Sequence, residues 1–159
     1  MVKPLEIAAS RLQKEPQLLW NTFVKFLSTA DTREMNDVQM AAQLPFWYDA
    51  EVQNGGHLMY FENNCTKLGD KVDVLIMATL DALKIIGAGR QAQVLGRAAD
   101  VYFSQPRQHT KDPDEYSQIE LEGEFEKFDI EYGQVSPAID DLLKEYLQAH
   151  TDNFVKVVG

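Results

Sequence analysis

Residues 46–64 read FWYDAEVQNGGHLMYFENN and contain the only Gly-Gly pair of the chain. Before the glycines, apolar residues recur at the spacing of an amphipathic helix, and this spacing resumes after them at Leu58 and Phe61. Glycine enters backbone regions that a Cβ atom forbids, so Asn54-Gly55-Gly56 is suited to end one helix and start another at a new angle. The stretch predicts two helices that meet at a corner, with four aromatic side chains filling the angle: Trp47, Tyr48, Tyr60 and Phe61.

The composition of the chain is that of one folded unit. A chain of 159 residues with 45% hydrophobic content can fill one core, so we expect a single compact domain over 1–159. Its one cysteine, Cys65, excludes an intramolecular disulfide. The start of the chain lacks the apolar run of a secretory signal, and the apolar run 74–80 is too short to span a bilayer. We therefore expect a soluble, cytoplasmic protein that does not bind a membrane.

Helix signals cover most of the chain and predict an all-α domain of about seven to nine helices. Asn36 or Asp37 is suited to cap the third helix, and Ser136 the last. Pro45 lacks a backbone donor, which predicts a kink or a break near it. Helices are predicted over 4–12, from 16 to about 28, from 38 across the corner, over 71–86, over 89–103 and from 137 onward. The predicted core includes Trp20, Phe23, Trp47, Phe61, Leu75, Ile76, Leu83, Leu95, Phe103, Phe125 and Leu143.

The negative charge of the chain is concentrated in its C-terminal third. Residues 112–145 hold twelve acidic residues and two basic ones, so the net charge of −10 resides in this segment and the rest of the chain is neutral. Residues 119–126 alternate like a half-buried strand, whereas Leu121, Phe125, Phe128 and Tyr132 share one helical face. We favour a helix, because the alternation is short and no partner strand is visible.

The motifs of catalysis and of cofactor binding are weak in this sequence. Gly87-Ala88-Gly89 has the spacing of a dinucleotide-binding turn, but a helix precedes it in place of a strand, so a turn between two helices is the better interpretation. His57, Cys65, Glu51 and Glu62 do not have the spacing of a zinc site. We interpret His57 as a helix-start residue beside a solvated glutamate. The sequence therefore predicts no catalytic residue, no metal and no cofactor.

Polar residues beside the corner leave one alternative open. Asp49, Glu51 and Asn54 could form a ligand-binding or hydrolytic carboxylate site, since a glycine corner lets a ligand approach the backbone. The competing interpretation is that these side chains cap the backbone at the helix junction. A pocket at the corner would favour the ligand site, whereas a flat acidic face without a pocket would favour a partner protein.

The corner also resembles the Asn-Gly-Gly signature of a family of small bacterial proteins that includes a DNA-mimic protein. The agreement continues downstream and spans about residues 20–156, with departures at His57 and Met59, where an aromatic such as Phe and a Gln are expected. The resemblance implies an all-helical domain without a cofactor and an acidic dimer that occupies the DNA-binding face of a transcription factor. The matching motif residues are Asp49, Glu51, Asn54, Gly55, Gly56, Tyr60, Phe61 and Asn63.

The acidic third leads to a functional hypothesis of its own. Its field would attract a basic partner protein, such as the DNA-contacting surface of a regulator, and would repel nucleic acid itself. A solvated face that only keeps the protein soluble is the alternative. The partner-binding residues expected on this face are Asp114, Glu115, Glu120, Glu122, Glu124, Glu126, Asp129 and Glu131.

Overall fold

The computed structural model describes residues 1–104 and 123–159. The protein is mostly helical, with 77% of the described residues in helices, and this confirms the predicted fold class in its main feature. A small parallel sheet of two strands corrects the prediction of a purely α-helical fold. No helix among the described residues is both long and apolar enough to cross a membrane.

The elements follow one another with short connections. Strand β1 and helix α1 form one N-terminal segment, and strand β2 ends the chain. Short 3₁₀ turns precede α3, α4 and β2. The bounds are β1 Leu5–Ala8, α1 Ala9–Lys14, α2 Leu18–Thr29, α3 Asp37–Leu68, α4 Val72–Ile85, α5 Gly89–Phe103, α6 Glu126–Gln134, α7 Ile139–His150 and β2 Val155–Val158.

The number of helices is lower than the seven to nine predicted. Six helices in the described part of the chain have nine residues or more, when the two helical segments that meet at the kink of Gly56 are counted as the single helix α3. The first predicted helix is reduced to the six residues of α1. The helix favoured over 119–126 lies mostly outside the described residues, and α6 begins only at Glu126.

The sheet joins the two ends of the chain. Leu5 pairs with Val155 and Ala8 with Val158 in a parallel ladder. The prediction of a helix from Pro4 is therefore wrong for its first turn. The local sequence did not reveal the strand, because its partner lies about 150 residues away and a strand needs that partner to pair its backbone groups. Phe154 is buried beside the strands, where its ring meets the edges of Phe23 and Phe26.

The start of α3 holds both chain ends in place. Asn36 caps the helix, as predicted, and forms a reciprocal capping box with Gln39. The buried Gln39 amide also donates to the carbonyl oxygens of Val2, at 3.1 Å, and Asn153, at 2.8 Å. One side chain thus satisfies backbone acceptors from the first and last segments of the chain.

The predicted corner lies at Gly56. This residue alone within α3 leaves helical backbone angles, with φ 78° and ψ 179°. A kink or break at Pro45 was also predicted, and the break is wrong, because the backbone keeps helical angles through that proline. Ser136 does not cap the last helix, whose N-cap is Ala138 without a side-chain hydrogen bond.

The aromatic filling of the corner is partly as predicted. Tyr48, Tyr60 and Phe61 are buried, and Phe61 stacks on Tyr102 with ring centroids 4.8 Å apart. Trp47 and Phe103 were predicted in the core, but they are 42% and 48% exposed. Both lie near the edge of an apolar helical stripe, where periodicity alone does not separate core from rim.

Candidate functional site at the corner of α3

The corner is held by a carboxylate from another helix. Asp129 of α6 places its Oδ2 atom 2.6 Å from the position that a Cβ atom on Gly56 would occupy. Its Oδ1 atom accepts a hydrogen bond from the backbone N–H of His57 at 2.9 Å and contacts the ring Nδ1 of His57 at 2.7 Å. The carboxylate therefore caps the first free backbone donor after the corner, in the manner of an N-cap.

A buried polar chain continues from Asp129 through His57 to Tyr48. The Asp129 carboxylate accepts a hydrogen bond from Nδ1 of His57, and Nε2 on the other side of the ring lies 2.6 Å from the hydroxyl of Tyr48. Burial raises the pKa of Tyr48 well above its usual value, which keeps this hydroxyl a donor. Tyr48 and His57 are both 0% exposed, so the chain of bonds is closed to a substrate and acts as a structural clamp.

Sequence reasoning missed this clamp. His57 was interpreted as a residue beside a solvated glutamate, whereas it is buried and paired with a residue 72 positions away. The sequence did contain one signal of this contact. A helix that starts after a glycine has backbone N–H groups without a partner in the helix, and these groups need an acceptor from elsewhere. The chain did not show which distant carboxylate would supply it.

A second hydrogen bond attaches α6 to the first arm of α3, which is the part of that helix before Gly56; the second arm is the part after it. Tyr132 donates its hydroxyl proton to Oδ1 of Asp49 at 2.5 Å, and Gln53 reaches the same oxygen at 3.5 Å. Burial raises the pKa of Asp49, and the Tyr132 hydrogen bond opposes that shift. Asp49 and Asp129 thus fix the first described helix of the acidic segment on both sides of the corner.

A pocket of about 550 Å³ lies between the two arms of α3 and helix α4. The first arm contributes Leu44 and Trp47, the second arm contributes Tyr60 and Asn64, and α4 contributes Leu75. Such a volume lies within the range of small-molecule sites, which are mostly apolar with a few placed polar groups. The pocket that was to favour a ligand site was expected at Asn54-Gly55-Gly56, whereas none of these three residues lines this one.

Glu51 is the acidic group of this pocket. Its Oε2 atom accepts a hydrogen bond from Nδ2 of the buried Asn64 at 3.0 Å, and the same nitrogen donates to the Tyr60 carbonyl at 2.7 Å. Burial raises the pKa of Glu51, and the positive charge of Lys67 at the pocket lowers it in part.

The predicted motif residues have different locations. Glu51, Tyr60 and Asn63 line the pocket, whereas Asp49 binds Tyr132. Asn54 is exposed, and Phe61 belongs to the core. A Cβ atom on Gly55 would lie 2.1 Å from the sulfur of Met59. The motif is therefore part pocket and part scaffold.

The described part of the acidic third presents unpaired carboxylates on α6 and α7. Glu126, Asp140, Asp141 and Glu145 are exposed, and none of them forms an ion pair within residues 1–104 and 123–159. Glu124 is half-buried. Lys127 and Lys144, the two basic residues of the segment, lie over the rings of Phe128 and Trp20, each 5.0 Å from the ring centroid. Both lysines thus contact aromatic faces, and neither forms an ion pair with Glu126, Asp140, Asp141 or Glu145.

The eight predicted partner-binding residues are only partly open to a partner. Asp129 binds His57, and Glu131 pairs with Arg97 on the surface. Glu126 is exposed. Asp114, Glu115, Glu120 and Glu122 lie outside the described residues. Their part in binding stays a prediction.

The described residues also bear on metal binding. Across 1–104 and 123–159, no group of three or more His, Cys, Asp or Glu side chains is arranged to hold a metal ion.

Comparison with known proteins identifies the family. No curated protein and no solved structure matches the chain. A family model described as DMP19-like protein matches residues 33–150, which include the corner, all but one of the residues that line the pocket, and the two described helices of the acidic third. It is a distinct family from the DNA-mimic family with an Asn-Gly-Gly signature, so the family assignment drawn from that signature is corrected. Since the match covers well over half of the 159 residues, the chain belongs to the DMP19-like family.

Proposed function

We propose that the protein is an acidic interaction module that binds a basic protein, of the kind that a DNA-contacting surface of a transcription regulator presents. The observation that carries the proposal is the location of the charge. The whole net charge of −10 resides in 112–145. Charge that served solubility alone could be spread over the entire surface.

The contacts of the two lysines support this proposal. A lysine over an aromatic ring is held by the ring quadrupole and by packing of its stem, which removes it as a partner for nearby acids. Lys127 and Lys144 are placed in this way. The neighbouring carboxylates Glu126, Asp140 and Asp141 therefore keep their field toward solvent, where it steers a basic partner.

The anchoring of α6 supports it further. Asp129 and Tyr132 fix α6 to the two sides of the corner. A rigid acidic helix loses less conformational entropy on binding than a loose one. Carboxylates on one helix face stand about 5–6 Å apart, a density comparable with phosphates that recur at roughly 3.4 Å of rise along a DNA strand.

The remaining expectations belong to the same proposal. The protein would act in the cytoplasm, in transcription regulation, as a non-catalytic partner, and it would not bind nucleic acid because like charges repel. Pairing of two copies into a homodimer would double the acidic surface and strengthen the attraction.

The test uses two variants with equal charge removal. In the first, Glu120, Glu122, Glu124 and Glu126 are all changed to Gln. In the second, Glu34, Asp70, Asp81 and Asp100, which lie outside the acidic segment, are changed to the corresponding amides. Each immobilised protein is incubated with host lysate, and retained proteins are eluted first with duplex DNA and then with rising salt.

The expected result is a set of basic, DNA-binding proteins that the wild type and the second variant retain and the first variant loses. DNA should release them, and so should salt, because screening shortens the reach of exposed charges to about 3 Å at 1 M. Equal retention by both variants, or capture that persists at about 1 M salt, would show that the acidic third is only a solvated surface.

A further inference from the structure

The pocket between the arms of α3 and helix α4 contains the carboxylate of Glu51. Oε2 of Glu51 accepts one hydrogen bond from Asn64, whereas no described residue donates to Oε1. Asn64 is itself fixed by its bond to the Tyr60 carbonyl, so the carboxylate has a defined orientation. A half-buried carboxylate with an open oxygen is a binding point for a hydrogen-bonding cation.

The wall around this carboxylate is suited to an organic cation rather than to a hydrated metal ion. Leu44, Leu68 and Leu75 are apolar, and the indole of Trp47 lies at the rim, 42% exposed. The exposed part of this indole is within reach of a ligand that enters the pocket. Indole faces are also the strongest aromatic sites for ammonium and guanidinium groups.

We propose that this pocket binds a small organic cation, an alkylammonium or alkylguanidinium with an apolar stem. Glu51 is the counter-ion, Trp47 supplies an aromatic face, and the leucines cover the stem. The proposal does not depend on the acidic third, since the pocket lies between the arms of α3 and helix α4.

Lys67 is a cation of the chain itself that could compete with an external cation for Glu51. It lies at the same pocket, and its charge acts on Glu51, but it is outside the 4.0 Å distance of an ion pair. If the pocket serves an external cation, Lys67 is a competitor and its removal tightens binding. If Glu51 only balances Lys67 within the chain, removal of the lysine creates no ligand site.

The experiment measures binding by the fluorescence of Trp47. Trp20→Phe leaves Trp47 as the single tryptophan, since the chain has two. The protein is titrated with hexylammonium and hexylguanidinium, and with hexanol and hexanoate as neutral and anionic controls with the same stem. Blocked single residues, acetyl-lysine and acetyl-arginine methylamide, present the same head groups as protein side chains do.

Binding of the free hexyl cations, with no binding of hexanol or hexanoate, is the expected result. Glu51→Gln should weaken it about tenfold or more, the range of a charge-assisted hydrogen bond, and Lys67→Met should strengthen it. Glu145→Gln, which removes one exposed charge on α7, should leave it unchanged.

Three outcomes would overturn the proposal. The first is that hexanol binds as tightly as the hexyl cations, and the second is that Glu51→Gln keeps the affinity of the wild type for these cations. The third is that only the blocked residues bind, which would assign the pocket to a side chain of a partner protein. Glu51→Gln keeps an oxygen for the Asn64 hydrogen bond, so the variant should fold, and its helical circular dichroism confirms this before titration. The acidic-face variant tests the proposed function separately, so either idea can fail alone.

Discussion

Replacement of Gly56 by Ala tests the clamp at the corner. Gly56 has φ 78° and ψ 179°, a region that is essentially restricted to glycine and costs other residues about 1–3 kcal/mol. The new Cβ atom would also lie 2.6 Å from Oδ2 of Asp129 and displace the carboxylate. Each hydrogen bond from His57 to this charged group contributes roughly 1.5–3 kcal/mol. With one of these two bonds lost, we therefore expect the free energy of unfolding to fall by about 2.5–6 kcal/mol.

The measurement is urea unfolding followed by helical circular dichroism. The control is Gly133→Ala in α6, where a Cβ atom would meet nothing within 4 Å and φ is not positive. Alanine is the better helix former by up to about 1 kcal/mol, so this control should be neutral or slightly stabilising. The slope of the unfolding free energy against urea should stay constant, which shows that only stability has changed.

The two parts of the cost can be separated in an Asp129→Ala background. Without the carboxylate the clash is gone, and Gly56→Ala should then cost only the backbone strain of about 1–3 kcal/mol. The reasoning fails if Gly56→Ala alone is within about 1 kcal/mol of the wild type, or if its cost is the same with and without Asp129.

Three further predictions concern single side chains. Burial raises the pKa of Glu51, so the native state binds the Glu51 proton more tightly than the unfolded chain does. The native state therefore loses stability as the pH rises from the pKa of the unfolded chain through the higher pKa of the native state. Glu51→Gln should raise the thermal midpoint at pH 7, and this gain should vanish at acidic pH. Tyr132→Phe removes the donor to Asp49 and should lower the unfolding free energy by about 1–3 kcal/mol in urea titration. Gln39→Leu leaves the Val2 and Asn153 carbonyls unpaired and should cost about 2–4 kcal/mol, with loss of amide protection at both chain ends.

Local features of the structure were predictable from the sequence. The corner at Gly56 and the cap at Asn36 depend on the conformational needs of single residues, which the sequence shows directly. Helices α4 and α5 follow from long apolar periodicity with Gly87 between them. These features need no information about distant parts of the chain.

Features that join distant segments were not predictable. The β1–β2 pair, the Asp129–His57 bond and the Tyr132–Asp49 bond each connect residues more than 70 positions apart. A single sequence shows that a buried donor needs an acceptor, but many carboxylates could supply it. The pocket was foreseen only as a site at the glycines themselves, whereas it lies between the arms, where Glu51 and Leu75 come together.

The histidine at position 57 illustrates how these distant contacts explain a local departure. An aromatic such as Phe was expected there, and a phenyl ring would fill similar space in the core. It would, however, have no ring nitrogen for the hydroxyl of Tyr48 or for Asp129. The buried Tyr48 hydroxyl would lose this partner, whereas the Asp129 carboxylate, 32% exposed, would keep the backbone N–H of residue 57. His57, Tyr48 and Asp129 therefore form one interdependent set, in which a change at any position alters what the other two require. Because Asp129 belongs to α6, this set also couples the geometry of the corner to the position of the acidic helix.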